Sequence, residues 1–236
     1  MSVLFRRREV WLPTVWGLLL MLAIAAALAA GLAVSAYTLL APQSPAPGAR
    51  TLVVEGWLDL TELQQAVAAA RGGQYERVLT TGGPIDPTLD AGGWKNYAVR
   101  AAAQLRVIGL TDTPVIAVPA PASAQERSYL SAVMVREWAK RSGVALGALD
   151  LYSAGVHARR SWLVYRMAFG EAVEVGVLTA RPTEYDAQRW WTSSAGAKTT
   201  LGETLGLAWT KCCFWPGPKG SHDERWGVPA APRQPP

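Results

Sequence analysis

Apolar residues run almost unbroken from Val10 to Leu40, and beyond that point they fall into short clusters separated by polar, helically spaced stretches. The first block carries no charge anywhere between Val10 and Ala49. Its densest part, Val15 to Leu40, exceeds the ~20 apolar residues that cross a bilayer. Arg6, Arg7 and Arg8 precede it and no basic residue follows until Arg50, which predicts a cytoplasmic N-terminus. Trp11 and Trp16 suit an interfacial belt. A cleavable signal peptide, cut after Val34-Ser35-Ala36, is the rival reading, but a signal core usually spans only ~7–15 residues. The pattern therefore predicts a cytoplasmic tail over 1–9 and an uncleaved transmembrane helix over 10–40, with the remainder outside the cytoplasmic membrane.

After a Pro-rich stretch, "APQSPAPGAR" over 41–50, which predicts an extended tether, two periodicities alternate. "TLVVE", "ERVLTTGG", "TPVIAVPAP", "ALDLYSAG" and "AVEVGVLT" are short, β-branched apolar runs, the mark of buried strands. Between them "LTELQQAVAAARGG", "GGWKNYAVRAAAQLRVIGL", "SAQERSYLSAVMVREWAKRSG" and "VHARRSWLVYRMAFG" show helical spacing and Gly stops. A last helix, "AKTTLGETLGLAWTKCC", places Leu201, Thr204, Leu205, Ala208 and Cys212 on one face. Strands alternating with helices predict βαβ units. Right-handed crossovers then give an α/β, Rossmann-like three-layer sandwich over 51–214, with a mostly parallel sheet of about five strands. The Pro/Gly-rich end, 215–236, is expected to be irregular.

Composition narrows the function. The chain has 236 residues, 50% hydrophobic, with a net charge of +5. The first nine residues hold +2 of that charge, so the globular part is only mildly basic, too diffuse for a nucleic-acid stripe. No nucleic acid is expected as partner. The two cysteines, Cys212 and Cys213, are adjacent, and the ~3.8 Å between neighbouring Cα atoms is shorter than disulfides usually want. They are expected as small apolar residues, one facing the core. No CxxC or Cys/His quartet points to a metal, and two loop carboxylates, Asp86 and Asp90, are a weak signal. No metal and no cofactor is assigned.

Ligands of such folds bind beyond the carboxyl ends of the strands, which selects five loops. Neither G-x-G-x-x-G nor a P-loop occurs there, so nucleotide binding in its usual modes lacks support. The fourth loop, "SAGVHARR", holds one of only two histidines. A helix start offers free N–H groups to an anion, and Ser153, Gly155, Arg159 and Arg160 add polar and cationic groups around it. His157, Arg160 and Ser161 share a helical face. His157 is then a candidate acid/base; the alternative is a helix-end histidine bonded to a neighbouring loop. Glu55, closing the first strand, is a candidate base or hydroxyl ligand, or else an ion-pair partner of a loop arginine. Ser123 and Glu126 form an S-x-x-E capping box, while Arg127 in the first helical turn opposes the helix dipole and suggests an anionic partner. Gly82 and Gly83 in "TTGGP" allow close backbone approach by a ligand or simply make a turn. Trp190, Trp191 and Trp209 are core, lipid-facing or sugar-stacking residues.

Taken together, "LVVEGW", "VLTTGG", "QERSY" (Gln125–Tyr129) and "YSAGVHARRS" resemble the ElyC/SanA/YdcF family of bacterial envelope proteins, from about Thr51 to Phe214. The resemblance sets His157 and Arg160 on the family's T-S-x-x-H-x-x-R-A pattern. "HARRSWLVYRMAFG" and "YDAQRWWTSS" look like a branch met beside exopolysaccharide gene sets. The chain departs from the family in its first loop, reduced to Glu55-Gly56-Trp57, and in Glu126-Arg127, where the family has Glu-Asn. The resemblance implies a YdcF-like domain behind one anchor in the bacterial inner membrane. It also implies a role in cell envelope biogenesis, on peptidoglycan or exopolysaccharide intermediates. Expected partners are membrane lipid, a polyprenyl-phosphate-linked saccharide and envelope or polysaccharide-assembly proteins. Both a catalytic role, with His157 and Glu55, and a purely binding role remain open.

Overall fold

The structure is a computed structural model that describes residues 11–86, 88, 92–123 and 126–225. Arg6–Arg8, Asp90, Gln125 and residues 226–236 lie outside the described residues. Contacts divide the chain at Ala36/Tyr37 into an N-terminal unit and a folded unit. The first helix, α1 (Val15–Leu40), is long and apolar enough to cross a membrane.

Five strands form one sheet: β1 (Thr51–Glu55), β2 (Arg77–Gly82), β3 (Val115–Pro119), β4 (Ala148–Ala154) and β5 (Glu174–Ala180). Every neighbouring pair is parallel, in the order β3-β2-β1-β4-β5. An all-parallel sheet must be covered on both faces, and β1 is buried along its whole length. Helices α2 (Leu60–Gly72) and α3 (Tyr97–Ile108) close one face through Leu63, Ala66, Ala101 and Leu105. Helices α4 (Arg127–Ser142) and α5 (Ala158–Phe169) close the other through Tyr129, Ala132, Val164 and Tyr165. The α/β fold read from the alternating runs is thus the fold observed. Its order reverses between β1 and β4, so their carboxyl ends form the crevice of a topological switch point.

Three local expectations are corrected. The supposed tether is docked: Ser44 pairs antiparallel with Val177 of β5, and Gln43 exchanges hydrogen bonds with the Thr179 backbone. The Ala46 N–H donates to buried Asp150 Oδ1 at 2.7 Å, and Tyr75 Oη donates to Oδ2 at 2.6 Å. Gly176 is needed there, since a Cβ would run into the Ala46 backbone and the Asp150 carboxylate. The capping box at α4 does not form, because the helix starts at Arg127 and Glu126 occupies the capping position without a side-chain cap. The box sits instead at α2, where Asp59 and Glu62 cap each other reciprocally.

The last helix, α6 (Ser194–Cys213), buries Thr200, Leu207 and Thr210 and leaves the Leu201/Leu205/Ala208/Cys212 face exposed. Cys212 and Cys213 are joined to each other as a disulfide, and both are exposed rather than core-facing. The C-terminal segment is fixed to the domain at Glu224. Glu224, fully buried, accepts two hydrogen bonds from Arg136, at 2.6 and 2.8 Å, and one from Tyr129 Oη at 3.1 Å. Burying a carboxylate is costly unless it is paired, so this segment belongs to the domain. Glu224→Ala leaves Arg136 and Tyr129 without their acceptor, and the expected loss is about 3 kcal/mol, read from the urea midpoint. Truncation after Phe214 is expected to cost at least as much.

Candidate functional site

Beyond the carboxyl ends of the strands lies a cavity of about 1250 Å³ at the β1/β4 switch point. Its floor is built on Glu55, which is only 2% exposed at the end of β1. The next residue must be glycine: Gly56 N–H donates to Thr81 O at 2.7 Å, and a Cβ would collide with the Thr81 and Tyr97 carbonyls. Glu55 Oε1 accepts from Ser161 Oγ at 2.9 Å and from Ser128 Oγ at 3.2 Å, while Oε2 accepts a short hydrogen bond from Ser153 Oγ. The hydroxyls that reach Glu55 are the protein's own serines, and among the described residues no loop arginine forms an ion pair with it.

His157 ends the short 3-10 turn Gly155–His157 that links β4 to α5. Its Nδ1 lies 2.9 Å from Glu203 Oε1. A carboxylate only accepts, so Nδ1 carries a proton in either charge state, and whenever the ring is neutral its lone pair is on Nε2. Arg160 Nη2 at 3.2 Å from Nδ1 is therefore a packing contact. Nε2 lies 3.5 Å from Ser128 Oγ and 4.0 Å from Glu55 Oε2, and the Trp57 ring stands edge-on at 5.0 Å. Glu203 also accepts from Arg160 Nε at 2.8 Å, and Arg160 Nη1 reaches Glu126 at 3.3 Å. Burial pushes the Glu203 carboxyl up, but the hydrogen bonds and charges of His157 and Arg160 outweigh it and hold its pKa at about 2.

The structure sorts the residues singled out above. Glu55, Gly82, Gly83, Glu126, Arg127, Gly155, His157 and Arg160 all line the cavity. Ser153 is fully buried behind Glu55 and does not line it. Arg159 is a correction: its Nε donates to Leu39 O and its guanidinium lies over Trp162, away from the cavity. Arg160, expected to hold an anion, already pairs with Glu203 and Glu126. Arg127 is exposed and forms no ion pair among the described residues. The lining carries the carboxylates of Glu55, Asp59, Glu62, Glu126, Glu184 and Glu203 against the guanidiniums of Arg127 and Arg160, so carboxylates outnumber cations around it. Asp86 is tied to the Thr88 hydroxyl and N–H. Among the described residues no His, Cys, Asp and Glu group has a metal-binding arrangement.

Glu203 and Ser128 were not anticipated. Glu203 is the sole carboxylate of α6, a helix whose other charges are the two lysines Lys198 and Lys211, which is the signal that could have found it. Ser128 adjoins Arg127 in the first turn of α4, a position visible only once the helix start is known. Chemically, a carboxylate orients a histidine whose free nitrogen faces a cavity and a serine hydroxyl, an acid/base arrangement. The fold and site together define a parallel α/β domain with a switch-point cavity and a His–Glu pair at its floor. Comparison of the chain with protein-family models, curated proteins and solved structures finds no match in any of the three.

Because the folded-state pKa of Glu203 lies below its ordinary value of 4.5, its pairing contributes stability above about pH 4.5 that drains away as pH falls toward 2. The shift corresponds to about 3 kcal/mol, reduced by partial solvent exposure to about 2 kcal/mol. Denaturant titrations of the wild type and Glu203→Gln at pH 5 and pH 2.5 are expected to show this loss only in the wild type.

Proposed function

We propose that the chain is a single-pass, membrane-anchored factor of bacterial envelope biogenesis. Its cavity takes a phosphate-bearing, polyprenyl-linked saccharide, an exopolysaccharide or peptidoglycan intermediate, outside the cytoplasmic membrane. The observation that carries this reading is the His157–Glu203 pair at the switch point, with Nε2 presented to the cavity. The apolar helix α1 supports an anchor in the inner membrane, and the motif resemblance to the ElyC/SanA/YdcF family supports the envelope role.

The acidic lining favours a ligand rich in hydroxyl donors, and a saccharide offers them to Asp59, Glu126 and Glu184. Trp57 and Trp209 border the same cavity and provide apolar faces for a sugar ring. The phosphate belongs beside Arg127, the cation not already paired. In the catalytic form of this reading, Nε2 takes the proton of an attacking hydroxyl and returns it to the leaving oxygen. Glu203 holds the ring orientation throughout.

A second reading, a non-catalytic binding or assembly factor working with other envelope proteins, draws on one specific observation. Ser128 donates its hydroxyl to Glu55 and Arg160 is matched by Glu203 and Glu126, which leaves neither a primed nucleophile nor a free guanidinium at His157.

Phosphorus NMR of the full chain in detergent with a short prenyl-pyrophosphate saccharide separates the two. New phosphorus signals that vanish in His157→Ala are expected if the protein is an enzyme. Shifted or broadened signals without new species assign it to the binding class. A spectrum unchanged by the protein overturns both forms for this ligand.

A further inference from the structure

We infer that the outward face of α6 lies on the lipid headgroup layer as an interfacial helix, beside the mouth of the cavity. This rests on the membrane-anchor part of the function proposed above and not on its ligand.

Leu201, Leu205, Ala208 and Cys212 recur every three to four residues along α6 and all face outward. Leu201 is 56% exposed, Leu205 71% and Trp209 49%. Such a stripe is unusual on the surface of a soluble domain. The charges on α6 are arranged just as unevenly. It carries Lys198, Glu203 and Lys211; both lysines are exposed, whereas the carboxylate is turned inward onto His157 and Arg160. The outer surface of the helix is therefore apolar and purely cationic, the combination that binds an anionic lipid surface. A protein partner would account for the leucines but not for the missing carboxylates.

Placement supplies the second argument. The last turn of the apolar helix, Tyr37–Leu40, belongs to the folded unit. Leu40 packs with Leu207 of α6 and with Val156, and Leu39 O accepts from Arg159. The chain then continues directly into the segment fixed along β5. Pro42, Gln43, Ser44 and Ala46 are thus bound to the domain and do not form a free tether. The chain enters the folded unit at Tyr37, beside α6. Thr199, Glu203 and Trp209 line the cavity from this same helix, so the rim of the cavity adjoins the outward face.

The test uses the full chain in nanodiscs containing about one-third anionic lipid. Photoreactive benzoylphenylalanine replaces Leu205 in one sample, Leu28 of the apolar helix in a second, and Val107 in a third. Val107 is 88% exposed on α3, which covers the other sheet face. The expected result is lipid adducts at 205 and 28 and background at 107. The double variant Lys198→Glu/Lys211→Glu is expected to lower the adduct at 205 roughly tenfold. Labelling at 28 with background at 205 overturns the docking while leaving the anchor intact. No labelling at 28 overturns the anchor itself. An adduct from 205 at twice the chain mass shows that a second copy covers this face, and also overturns the inference.

Discussion

Glu55 is the point from which the functional end of the domain is built. A carboxylate taken out of water is tolerated only when its oxygens are fully engaged, and Glu55 is engaged by serines from three different elements. Ser153 comes from β4, Ser128 from α4 and Ser161 from α5. The acid at the tip of β1 thus ties together the strands that flank the switch point and the helices that cover them. Charge-assisted hydrogen bonds of this kind are short and directional, and they fix Ser128 within 3.5 Å of His157 Nε2. The floor of the cavity and the tertiary clamp are the same group of atoms.

A second carboxylate completes the arrangement from the opposite side. Glu203 binds His157 and Arg160 together, so α6 is attached to the start of α5 by polar contacts as well as by Leu207 packing. The outcome is a histidine with one nitrogen fixed by a carboxylate and the other facing a serine and the cavity. Charge is largely settled inside the protein before a ligand arrives. Among the described residues the lining is rich in carboxylate acceptors, and Arg127 at its edge is in no ion pair.

Much of this could be read from the amino-acid pattern, and the failures have physical causes. Five β-branched runs between helical stretches were sufficient for the sheet and its layers, and the strand-end rule led to Glu55, His157 and Arg160. The pattern could not supply Glu203, because its partnership with His157 spans 46 residues and depends on how α6 packs. Arg160 carried the expected charge, but whether a charge is free or paired is a property of tertiary structure. The Pro-rich segment before β1 and the Pro/Gly-rich segment after α6 looked like loose ends by composition. Each is fixed in part by a buried carboxylate, Asp150 for the first, together with backbone pairing to β5, and Glu224 within the second.

The clamp at Glu224 has a consequence for how the protein is made. Arg136 and Tyr129 lie on α4, near the middle of the chain, yet their acceptor is almost the last described residue. A chain delivered N-terminus first exposes α4 long before Glu224 emerges. Until then Arg136 and Tyr129 lack the carboxylate that accepts from both of them in the folded domain. The contacts of α4 are therefore complete only after Glu224 has emerged, and a chain cut before Glu224 carries the sheet without this clamp.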